Sequence, residues 1–166
     1  MLTARRAGER RLTAGATGLM HLTFLQVVLG ALVAGIDAGR AFPTWPLMGD
    51  GFFPPEPFSI SPIWRNFFED PGLVQFIHRM TAYALFALAV YVWVRARKSP
   101  NIATRTAFNL MLGMVLVQVV LGIVTALYSA PLHIAILHQV GAVVLWVLIM
   151  RGRFLARYPY AQSVRG

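Results

Sequence analysis

The sequence predicts an all-α integral membrane protein, a four-transmembrane-helix bundle made of two repeated helical hairpins. Three observations lead there. The 166 residues are 57% hydrophobic and 13% charged, with a mean hydropathy of +0.62, too apolar for a soluble domain of this length. Four apolar runs are each long enough to cross a bilayer, which takes about 20 helical residues. The pentapeptide QVVLG occurs twice, beginning at Gln26 and at Gln118, and each copy precedes a second apolar run that carries a histidine early on.

The first run covers 16–36, the second 73–94, the third 107–128 and the fourth 132–150. They divide the chain into a basic tail (1–15), a membrane domain (16–150) with a long loop (37–72), and a second basic tail (151–166). The first run is too long for a signal peptide and leads into Ile36, Asp37 and Ala38 without a convincing cleavage context. Seven of the ten prolines fall in the loop, so regular structure there is short. Its Phe52, Phe53, Phe58, Trp64, Phe67 and Phe68 suit a cap in the outer headgroup region, with one short interfacial helix near Pro62 to Glu69. The plainer alternative is an anchored connector.

The net charge is +9, and its distribution decides its meaning. Arg5, Arg6, Arg10 and Arg11 precede the first run; Arg95, Arg97, Lys98 and Arg105 join the second to the third; Arg151, Arg153, Arg157 and Arg165 follow the fourth. The long loop has only Arg40 and Arg65, against Asp37, Asp50, Glu56, Glu69 and Asp70. Positive segments are retained in the cytoplasm, so both termini are expected inside. Read this way the charge is topological, and no nucleic-acid partner is expected. Without a recognisable transit peptide, the expected location is a bacterial cell inner membrane, with multiple passes and lipid as the immediate partner. The absence of cysteine excludes disulfides, a Cys-rich zinc site and covalent c-type haem attachment.

The four histidines remain as cofactor ligands. His78 and His138 lie about five or six residues into the second and fourth runs, at one depth, roughly 7 to 9 Å below the outer end. Imidazole is costly in hydrocarbon, so each is expected to face the bundle interior. Either they hydrogen-bond within the packing, or they ligate one haem iron from opposite sides. Ala82, Gly141 and Ala142 leave the neighbouring helix faces low enough for a flat macrocycle. Arg79 suits a haem propionate, or it snorkels to lipid phosphate. His133 points about 140° away from His138, and His21 has no repeat counterpart; both are expected to be interfacial or structural. Gly30, Ala34, Gly113 and Gly122 are expected to let helix backbones approach closely.

Three strings then carry a resemblance: ALVAGIDAGRAFPTWPLMGD from Ala31, NFFEDPGLVQFIHRMTAY from Asn66, and QVVLGIVTALYSAPLHIAILHQ from Gln118. In these the sequence resembles the haem A synthase family, membrane oxidoreductases that convert the C8 methyl of haem O to a formyl group for haem-copper oxidases. Full-length members look like two fused four-helix halves, and this chain is similar to the C-terminal one. The resemblance implies that His78 and His138 are the iron ligands of a haem b. Where the catalytic half carries a glutamate three residues before its His-Arg pair, this sequence has Gln75. The implied role is therefore an electron-transfer or structural haem domain with no catalytic residue identified in this chain. Haem O would be met through a separate N-terminal half or a second copy, with haem O synthase as a further partner. Two other readings stay open: a stand-alone b-type cytochrome, and a non-catalytic haem-delivery or assembly protein.

Overall fold

The computed structural model describes residues 9–159. Four long helices, each of 26 residues, dominate it: α1 (Arg10–Gly35), α3 (Pro71–Ala96), α4 (Ile102–Leu127) and α5 (Leu132–Arg157). A one-turn helix α2 (Asn66–Glu69) follows a 3-10 turn at Ile63–Arg65, and a second 3-10 turn spans Ala38–Arg40. A 26-residue helix is about 39 Å long, against about 30 Å of hydrocarbon. The helices therefore overrun the apolar runs, most visibly where α1 starts at Arg10 and α5 continues to Arg157. Arg5, Arg6 and Arg165 of the expected tails lie outside the described residues.

Local chemistry sets the helix ends. Asp70 caps α3 by accepting from the Leu73 amide at 2.6 Å, with Pro71 at the first helical position. Between α4 and α5 the chain turns through Ser129 and Ala130, both at positive φ (57° and 53°), and the Ala130 amide donates to the Thr125 carbonyl at 2.8 Å. At the end of α1, Asp37 takes the same left-handed conformation (φ 58°). The two turns meet, since a Cβ placed on Gly39 would come within 3.1 Å of the Ala130 methyl.

The helices form a four-membered ring. α1 packs on α3 and α5, and α4 packs on the same two, so the histidine-bearing α3 and α5 face each other across the diagonal. Leu19, Val92, Phe108, Met111 and Ile149 fill an apolar core in the half nearer the tails. Indole N–H groups tie neighbours together, Trp146 donating to the Met20 carbonyl at 3.2 Å and Trp93 to Asn109 Oδ1 at 2.8 Å. Side chains such as Val120, Leu137 and Val143 are 57–59% exposed along the spans. So much outward apolar surface fits lipid, not water: the chain is a multi-pass membrane protein.

The long loop folds onto the other end of the bundle. Asn66 is fully buried and ties the loop to itself: its Nδ2 donates to the carbonyls of Ile60 (2.7 Å) and Ile63 (2.9 Å), and its Oδ1 accepts from the Ile60 amide (3.0 Å). Phe52 and Phe53 stand edge-on to Phe76 of α3, at ring separations of 6.0 and 4.7 Å. The helical turns from Ile63 to Glu69 occupy the stretch where a short helix is expected, and Trp64, Phe67 and Phe68 are exposed on it.

Candidate functional site

The loop half of the bundle is where the interior becomes polar. His78 lies in the second turn of α3 and His138 in the second turn of α5, both half-buried. Each imidazole lies against a glycine of the neighbouring helix in its own hairpin. A Cβ built on Gly30 would come within 3.2 Å of His78 Cε1, and one on Gly122 within 3.2 Å of His138 Cε1. These glycines end the two QVVLG strings, so the repeat places a glycine where the Cε1 edge of an imidazole comes close to the neighbouring helix.

The glutamines that open the two strings differ. Gln26 Nε2 lies 3.1 Å from His78 Nδ1 and 3.2 Å from His78 Nε2, and donates to the His78 carbonyl at 3.1 Å. Near-equal distances to both ring nitrogens place that amide over the imidazole face, because an in-plane approach would collide with Cε1. Gln118 reaches no such partner. Among the described residues five buried polar side-chain atoms lack a hydrogen bond: Gln26 Oε1, Gln75 Oε1, Gln118 Nε2, His138 Nδ1 and Asn101 Oδ1. All but the last belong to the loop half. Unpaired buried polar atoms are expensive, and such a cluster marks a place where the interior serves something besides packing.

Arg79 is buried, and its Nη2 and Nη1 donate to the carbonyls of Phe42 (2.9 Å) and Leu47 (3.2 Å), so it anchors the long loop. Gln75 is buried beside it, its Nε2 donating to the Gly39 carbonyl at 3.3 Å. His21 and His133 are exposed. Of the small residues expected at close approaches, Gly30 and Gly122 fulfil that role, whereas Ala34 is exposed and Gly113 has open space where a Cβ would be. Hydropathy and histidine spacing give no chemistry to Gln26, Gln118, Gly30 and Gly122; their repetition in QVVLG is the signal the sequence carries. No cluster of three or more His, Asp or Glu occurs among the described residues, so a bare metal ion finds only two imidazoles here.

Residues 2–150 match the COX15-CtaA family, described as cytochrome oxidase assembly protein. Over 166 residues the chain is 57% identical to a heme A synthase of Ruegeria sp. (strain TM1040), covering 100% of this chain and 44% of that relative. The heme A synthase of Paracoccus denitrificans (strain Pd 1222) gives the same identity and coverage. That of Cereibacter sphaeroides (strain KD131 / KCTC 12085) is 49% identical over 174 residues, covering 99% of this chain and 44% of the relative. The chain thus spans a little under half the length of these curated relatives. No solved structure matches it.

Proposed function

The chain belongs to the COX15-CtaA family of cytochrome oxidase assembly proteins, and from that premise we propose that it is the haem b-holding half of a haem A synthase, acting in the oxidation of the haem O methyl to a formyl group. The observation that carries the proposal is the pair of repeat-related imidazoles, His78 and His138, each seated on a glycine and presented from diagonal helices.

The residues present fit such a cofactor. Two imidazoles alone are too few for a bare metal ion, whereas a haem would bring nitrogen donors of its own and take the remaining two from His78 and His138. The unpartnered His138 Nδ1 and the surrounding amides form a polar lining that hydrocarbon would not tolerate without a reason. When bound, the haem supplies one-electron redox chemistry, which suits a reaction whose substrate must shed electrons.

The chain's own residues hold and orient. His78 and His138 would hold the iron through imidazole nitrogens, and Gly30 and Gly122 let those rings lie close to α1 and α4. Arg79 closes the outer end by holding the loop through Phe42 and Leu47, which limits water near the ligands. Gln75 has no carboxylate to move a proton, so attack on the methyl belongs to a separate N-terminal half or a second copy. The same residue favours the second reading, a b-type cytochrome that only carries electrons. A bacterial inner membrane with both ends of the chain in the cytoplasm is part of the proposal, supported by twelve of the fifteen Lys and Arg flanking the spans on one side.

The test is spectroscopic and then chemical. Purified protein is expected to show a low-spin b-type spectrum that His78→Ala and His138→Ala each abolish or convert to high spin. Co-expression with an N-terminal half in a strain lacking the synthase should yield extractable haem A. A haem-free preparation, or both alanine variants keeping the parent spectrum, overturns the cofactor assignment. Reversible redox cycling with haem O left unconverted selects the electron carrier.

A further inference from the structure

The two QVVLG strings seat their histidines alike but treat them differently. In the first repeat Gln26 Nε2 lies on the His78 ring and on the His78 carbonyl. In the second, Gln118 Nε2 and His138 Nδ1 are both buried and both without a partner. The repeats also differ at the residue three positions after each histidine. In the first repeat it is Thr81, whose Oγ1 donates to the Ile77 carbonyl of its own helix at 2.8 Å. In the second it is Gly141, and a Cβ built there would overlap Gln118 Nε2 and come 3.0 Å from Met114 Cε. Gln118 has settled into the volume that a side chain at 141 would fill.

We propose that Gln26 is a positioning residue for His78, and that Gly141 draws Gln118 away from the same task at His138, leaving the two repeat-related imidazoles unequal as ligands. The proposal rests on the bis-imidazole reading above. An imidazole that gives one nitrogen to iron keeps its proton on the other, and that N–H needs an acceptor to fix the ring and raise its basicity. Gln26 Oε1 is buried and unspent on an amide already lying against the ring, so a half-turn of the amide, with a tilt of the imidazole that brings its N–H into line, supplies one. His138 has no such amide. His78 would therefore be the more firmly held of the two ligands and His138 the weaker.

The test uses the full chain in detergent with ring-15N-labelled histidine, first without haem. Gln26→Leu should move the His78 ring resonances, Gln118→Leu should leave those of His138 in place, and Gly141→Ala should move them by returning the amide to the ring. In the haem-loaded protein, Gln26→Leu should weaken haem retention about tenfold, Gln26→Glu should restore it by supplying an acceptor, and Gln118→Leu should cost little. Unmoved His78 resonances in Gln26→Leu, or equal effects of the two leucine variants, overturn the inequality. Parent protein that takes up no haem sinks the bis-imidazole reading instead, while the haem-free resonances still decide between the two glutamines. If Gly141→Ala does not fold, the two leucine variants alone settle the matter.

Discussion

At the scale of single residues, the glycines opposite the histidines carry the sharpest consequence. A Cβ on Gly122 would reach within 3.2 Å of His138 Cε1, tighter than ordinary contact. Gly122→Val adds branched bulk and must push the ring off α4. On the proposed haem ligation, its expected outcome is a protein without a low-spin spectrum but with helix content intact, checked by absorption and circular dichroism together. Asn66 gives a second prediction. Asn66→Leu strips the hydrogen bonds to Ile60 and Ile63 and leaves the partly buried Ile60 groups unpaired, a cost of about 1 to 3 kcal/mol in all. The loop should then be cut by protease faster than in the parent protein. These residues also show what sequence can and cannot tell. His78 and His138 stood out because charge-prone side chains are rare in apolar helices. The partners of Arg79 did not, because the carbonyls of Phe42 and Leu47 come from an irregular loop whose path leaves no periodic trace.

Among the elements, spans were legible and their ends were not. Hydropathy finds the hydrocarbon-facing stretch of a helix but stops at the first arginines, whereas the backbone keeps its ladder through Arg10 and Arg157. The helical turns near α2 were readable from Pro62 and the aromatic cluster, and they carry a charge pair that composition alone does not reveal. Arg65 Nε donates to Glu69 Oε1 at 2.9 Å, and this bond holds the Glu69 carboxyl below its usual range. A lowered carboxyl favours the folded loop above its ordinary pKa, and the contribution fades as pH falls through the depressed value. Because both groups are exposed, the effect on stability is small. Arg65→Gln should return the Glu69 titration upward toward an ordinary glutamate, as followed by carboxyl NMR. At the opposite end, Glu9 accepts from Ser99 Oγ (2.6 Å) and Asn101 Nδ2 (3.3 Å), clamping the start of α1 to the α3–α4 connection.

For the molecule as a whole, the division into an apolar half and a polar half follows from the repeat. Two hairpins built alike bring their histidines, glutamines and glycines to one end, and leave Leu19, Phe108 and Ile149 to hold the other. Orientation is open to direct measurement because the sequence has no cysteine, so a single introduced thiol is the only one labelled. Ser59→Cys in the long loop should react with an impermeant maleimide in intact cells, and Lys98→Cys only after the membrane is opened. The reverse pattern overturns the orientation. One further consequence comes from the order of two neighbouring residues. Arg79 follows His78 directly, so any twist of α3 that re-aims the imidazole must strain the tethers to Phe42 and Leu47. Re-aiming the ring and loosening the loop that roofs this end of the bundle are thereby mechanically coupled through adjacent residues of one helix.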